Sequence, residues 1–113
     1  MTIGTGIAGQ DMMGMGCRGY VLDAAGKAVL PGAAGVVIAG VITRDAMEGE
    51  SMRVVTERGV KVYVQMTTSI YADVDLAVAK DGRFSAAQPG QTVVAKTLAA
   101  CPESDMPVAA VLV

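Results

Sequence analysis

Residues 60–66 carry the clearest pattern in the chain. Val60, Val62, Val64 and Met66 alternate with Lys61, Tyr63 and Gln65, and a period of two puts the apolar set on one face of a half-buried β-strand. Residues 36–43 run without a charge, which predicts a strand covered on both faces. Asp23-Ala24-Ala25-Gly26-Lys27 and Lys80-Asp81-Gly82-Arg83 read as hairpin turns in which glycine supplies the positive φ. Gly or Pro interrupts nearly every window that could form a helix. The predicted fold is therefore all-β, a compact β-sandwich or β-barrel of tulip or jelly-roll type.

An ungapped offset of 56 residues lays residues 20–57 over residues 76–113. Gly26 falls on Gly82, Val37 on Val93 and Ala39 on Ala95. More telling than these identities is the order of features: a turn, a cation after it, an apolar strand, an acidic turn, then a closing apolar strand. The reading is a single β domain over residues 17–113, built from two similar β units that share one core. The copies differ at the closing strand. Met52 and Val54 alternate with Ser51 and Arg53, whereas residues 108–113 hold no polar side chain. A free apolar edge invites aggregation, so this last strand lies either in the middle of a sheet or under another subunit, and the second reading is preferred.

The first 16 residues, MTIGTGIAGQDMMGMG, break the pattern with five glycines, four methionines and one charge. Glycine at this density is costly to order alone, while methionine adapts to irregular surfaces. Two readings stand: an extended, flexible N-terminal arm over residues 1–16 that orders on a partner, or a frayed end without a role.

Composition removes several classes of function. Formal net charge is −2 and the nine cationic residues are scattered, which argues against a nucleic-acid partner, since such a partner calls for a basic stripe. The longest charge-free run, residues 28–43, is short and broken by Pro31 and three glycines, so no membrane span is expected. No Lys or Arg precedes Arg18, and a secretory leader is not expected. The chain has no histidine, and Cys17 and Cys101 are its only cysteines. Two reduced, partly buried thiols are expected rather than a disulfide framework or a nucleophile.

The remaining candidates are weak. Asp73 and Asp75 form a DxD, but two carboxylates are too few for a hard cation that takes six or more oxygens. Glu48 and Glu50 flank Gly49 as a solvated hairpin tip. GTGIAG near the N-terminus opens no helix after a strand and is no dinucleotide fingerprint. No catalytic residue, metal site or cofactor is assigned.

The phrase GYVLDAAGK, then AGVVIAGVITRDAMEGESMRVVTERGVKVYV, the Asp-x-Asp-Leu that ends at Leu76, AKDGRF and VVAKTLAACPESDMPVAAVLV together resemble the phage structural cement proteins, also called head-decoration proteins. The resemblance covers residues 14–113, and Asp45-Ala46-Met47-Glu48-Gly49-Glu50 matches the family's Ala-Gly-Glu turn. The chain departs from the pattern at Pro102-Glu103-Ser104-Asp105, which lacks a glycine, and before Asp75. The resemblance implies a non-enzymatic virion protein on the outer surface of a tailed-phage capsid, bridging major capsid subunits as a homodimer or homotrimer, with the trimer preferred. It implies no cofactor. The candidate contacts to capsid or sister subunits are Ile3, Ile7, Met12, Met13 and Met15 from the arm, and Val111 and Val113 from the closing strand. The alternative is a small β-barrel module for a ligand or glycan, with Tyr20, Tyr63, Tyr71 and Phe84 as its available aromatics.

Overall fold

The computed structural model describes residues 4–101 and 106–113. Ile3 and the Pro102-Glu103-Ser104-Asp105 turn lie outside the described residues. Among those described, ten strands form and no helix. They are β1 (Gly4–Ile7), β2 (Gly19–Leu22), β3 (Ala28–Val29), β4 (Gly40–Arg44), β5 (Ser51–Val55), β6 (Lys61–Gln65), β7 (Asp75–Val78), β8 (Phe84–Ala86), β9 (Ala95–Thr97) and β10 (Pro107–Leu112). Strand β6 follows the alternation of its sequence, with Val62, Val64 and Met66 buried and Lys61 and Tyr63 exposed.

The strands make two antiparallel five-stranded sheets, ordered β1-β5-β4-β2-β3 and β6-β10-β9-β7-β8. These are the same order once each strand is advanced by five places. The correspondence reaches individual hydrogen bonds. Asp23 N–H donates to the Lys27 carbonyl at 2.8 Å, as Ala79 N–H does to Arg83 at 2.6 Å. Met12 N–H donates to Ala46 at 3.0 Å, as Ile70 N–H does to Cys101 at 2.8 Å. Cys17 and Asp73, at φ 64° and 65°, are the two described non-glycine residues in the left-handed region, and they occupy the same place in the two units. In each sheet a parallel bridge, Ala8 to Ala28 or Met66 to Phe84, brings the two edge strands together at one point.

The offset between units is not uniform. It is 56 from β2 to β7 and from β5 to β10. At β4 it is 55, because Tyr20 pairs with Gly40 where Leu76 pairs with Ala95. At β1 it is 58, because Ile7 pairs with Ser51 where Gln65 pairs with Pro107. A register shift between Ile42 and Arg44 takes up one of these slips. Ala95 thus corresponds to Gly40, not Ala39.

Burial divides into two clusters rather than the one shared core expected from the repeat. The first unit encloses Ala8, Met12, Tyr20, Ile42, Met52 and Val54. The larger cluster fills the second unit with Val64, Met66, Leu76, Phe84 and Leu112 and takes in Ile38, Val41 and Val55 from the first. Strand alternation explains the split: Ile42 and Val54 point into their own unit, so Val41 and Val55 point out of it, into the neighbour. Each such fully buried side chain contributes roughly 1.5–3 kcal/mol.

Three local expectations change. Residues 36–39 are not strand, and Val37 is exposed; the strand starts at Gly40. The N-terminal segment is not an arm over its described length. Gly4–Ile7 pair with β5, and Met12 is wholly buried. Backbone hydrogen bonds need no side chain, so a glycine-rich stretch can complete a sheet whose neighbour supplies the apolar bulk. Finally, β10 lies between β6 and β9, so its apolar run is not a free edge: Val108, Ala110 and Leu112 point into the core, while Ala109 and Val111 on its other face are half-buried.

Candidate functional site

Each unit ends in a surface depression at the same place in the repeat, beside the bond from Met12 to Ala46 or from Ile70 to Cys101. The first, about 470 Å³, is lined by Met13, Asp45, Ala46, Glu50, Met52 and Arg53 among others. The second, about 340 Å³, is lined by Ser69, Ile70, Tyr71, Ala100 and Cys101. Met13 and Tyr71 correspond under the offset of 58, and both stand out into solvent, at 53% and 82% exposure.

Side-chain hydrogen bonds hold both rims. In the first, Gly14 N–H donates to Asp45 Oδ2 at 2.6 Å, and Met47 N–H to Glu50 Oε1 at 3.1 Å. In the second, Thr97 Oγ1 donates to the Tyr71 carbonyl at 2.8 Å and accepts Val74 N–H at 2.9 Å, which satisfies a buried hydroxyl. The first depression carries charged side chains, among them Asp45, Glu50 and Arg53, whereas the second is lined by uncharged ones.

A third groove, about 450 Å³, runs where the units meet and is lined by Cys17, Ile42, Val55, Val60, Val62 and Tyr63, with Lys61 also at its wall. The Lys61 ammonium sits 5.5 Å from the Tyr63 ring centre, a cation–π contact at an exposed site. Burial pushes the Cys17 thiol above its ordinary pKa, so at neutral pH it is a protonated thiol rather than a nucleophile. Neither cysteine is in a disulfide.

The carboxylates suit turns rather than chemistry. Asp73 pairs with Lys96 at 3.2 Å, and Gly49 closes its turn by donating to the Ala8 carbonyl at 2.8 Å. Burial alone would raise the Asp81 pKa, but hydrogen bonds from the Arg83 backbone and guanidinium, with the charges of Arg83 and Arg18, hold it below the usual carboxylate value. Among the described residues no group of three or more His, Cys, Asp or Glu is placed to hold a metal.

The predicted contact residues are not brought to one place. Met13 rims the first depression; Ile7, at 41% exposure, lies on the outer side of β1. Met12 is part of the protein's own core and Met15 packs partly against it. Val111 lies half-buried on the outer face of β10, opposite Lys61, and Val113 is exposed just beyond. Sequence reasoning named Tyr71 only among the aromatics open to a glycan site, not as a contact to the capsid or a sister subunit. The signal for that role was the correspondence of Met13 and Tyr71, hidden by the two-residue change of offset.

No family model matches the chain, and no curated protein matches it. Among solved structures it is similar to the head fiber gp8.5 N base of bacteriophage phi29. That likeness has a TM-score of 0.78 at 16% identity and covers 99% of this chain and 93% of that one. The fold of this chain is thus the fold of that base, across both units.

Proposed function

We propose that this protein is a structural component of a tailed-phage head that binds the outer surface of the capsid and steadies it by bridging major capsid subunits. The observation that carries the reading is the likeness to a phage head-fiber base over nearly the whole of both chains. The cement-protein phrasing of residues 14–113 supports it independently. The two depressions at corresponding places, rimmed by Met13 and Tyr71, supply two footholds per chain. Paired footholds, multiplied by a homodimer or homotrimer, give avidity on a repeating shell that no single contact provides.

The test is co-sedimentation of the purified protein with mature heads that lack it. Wild type pellets with the heads; Met13→Asp and Tyr71→Asp each weaken binding about tenfold, the loss of roughly 1.4 kcal/mol. Full binding by the double variant would reject these footholds, and no pelleting by the wild type would reject the capsid reading. Truncating residues 2–13 is not a clean test, because it removes β1 and the buried Met12.

The glycan-binding alternative retains one supporting observation: Tyr71, at 82% exposure, stands beside an uncharged depression, as an aromatic platform for a sugar would. A glycan array with hits that Tyr71→Ala abolishes would favour it.

A further inference from the structure

We infer that copies of this chain associate head to tail, repeating between chains the contact that joins the two units within one chain. That internal contact is directional. The second unit offers the free edge of β6 and the β7–β8 turn, and the first receives them on its outer face. Gln65 N–H donates to the Cys17 carbonyl at 2.8 Å, and Gly19 N–H donates to the Gly82 carbonyl at 2.8 Å. Gly82, at φ 88°, lies so close that a Cβ there would stand 2.7 Å from the Gly19 oxygen. Ile38, Val41 and Val55 are 0–1% exposed beneath the contact.

A directional contact between two like units leaves one unused surface of each kind. The donor side of the first unit and the receiving side of the second are both open. On the receiving side, Cys17, Gly19, Ile38, Val41 and Val55 become Asp73, Asp75, Val93, Lys96 and Val111. On the docking side, Gln65 and Gly82 become Ile7 and Gly26. The groups that would make the same two bonds are unspent. Ala8 N–H donates to the Glu50 carbonyl, so by antiparallel alternation the Ile7 N–H points away from β5 to the open edge. Among the described residues the Asp73 carbonyl, the Asp75 N–H and the Gly26 carbonyl likewise make no hydrogen bond. Ile7 and Val93 are 41% and 37% exposed.

The composition of the open face fits an interface that must survive in water before it forms. Where the permanent contact has a thiol, a glycine and a valine, the open one has Asp73, Asp75 and Lys96, with Asp73 and Lys96 paired at 3.2 Å. Val93 and Val111 remain as its apolar part. Such a heterologous contact closes into a ring or extends into a fibre according to its rotation. Its occupant is a second copy of this chain, and the inference does not depend on attachment to a capsid.

The experiment uses the full chain with Cys17→Ser and Cys101→Ala as background, Ala46 being the counterpart of Cys101. Ile7→Cys and Asp73→Cys are then introduced together; the counterpart of Asp73 is already a cysteine at the same φ. Mild oxidation is expected to give a ladder of covalent multimers of the 11.5 kDa chain on a denaturing gel, whereas either single cysteine stops at a dimer. The unmodified protein should show a light-scattering mass that is a multiple of 11.5 kDa. Val111→Lys should lower it to one chain without changing the circular dichroism. A monomeric wild type at the highest attainable concentration overturns the inference. So does an oligomer whose paired cysteines give no ladder, or one that Val111→Lys leaves intact.

Discussion

The first unit opposes Gly4 to Val54 and Gly6 to Met52, where the second opposes Val62 to Ala110 and Val64 to Val108. Tyr20 likewise stands for Leu76, and Ala28 for Phe84. In each ladder the bulk that one strand gives up is supplied by its partner, because an interior must be filled to the density of a solid whichever strand fills it. The two units therefore share hydrogen-bond geometry and few residues. They part company on their outer faces, where Gly19 and Val41 lie under the second unit while Asp75 and Lys96 meet solvent.

The comparison can be broken first inside the second unit. Phe84→Ala gives β8 the residue that β3 carries at Ala28, but β6 and β10 do not change with it. A loss of about 3–5 kcal/mol in urea unfolding is expected. Val41→Lys installs at the internal contact the residue of the open one. Chemical denaturation should show a loss of roughly 2–4 kcal/mol, since a charge is placed under the second unit. Lys96→Val should stay within about 0.5 kcal/mol of wild type when measured on dilute monomer.

Two glycines sharpen the contrast at lower cost. Gly26 and Gly82 both have positive φ, but a Cβ on Gly26 meets nothing within 4 Å while one on Gly82 meets the Gly19 carbonyl. Gly26→Ala should cost about 1 kcal/mol from φ alone, and Gly82→Ala distinctly more. A pair of equal losses in thermal melts would show that the unit contact yields freely at this point.

The smallest effect concerns Asp81 in the β7–β8 turn. Its pKa is depressed in the folded state, so the unfolded chain binds the proton more readily. The resulting stability is present above the unfolded value, about 4, and fades as pH falls through the lower folded value. Asp81→Asn should flatten that acid limb of the stability profile and leave the neutral region nearly unchanged. An acid limb identical to wild type would remove Asp81 from the account.

Much of this was legible in the chain. The two hairpin turns, the alternation of β6 and the offset of 56 all rest on local chemistry: glycine at positive φ and side chains that alternate across a strand. The limits are as specific. Gly4 and Gly6 looked like an arm because their own side chains carry no signal; what makes β1 a strand is the bulk of Met52 and Val54 opposite. Residues 36–39 looked like strand because hydrophobicity marks burial, and Ile38 is buried against the other unit without pairing in a ladder. The candidate site suffered most. Met12 and Met13 are alike in sequence, yet one is wholly buried and the other 53% exposed.

What the sequence alone determined is an all-β chain with its phrase said twice, since turn chemistry and period-two patterning act over a few residues. Only the tertiary structure decided that β1 and β6 begin each repeat, that β10 is central, and that one outer face is covered while its twin is open. Those outcomes depend on which distant strand lies opposite, and a ladder partner some 50 residues away leaves no mark on the residues it completes.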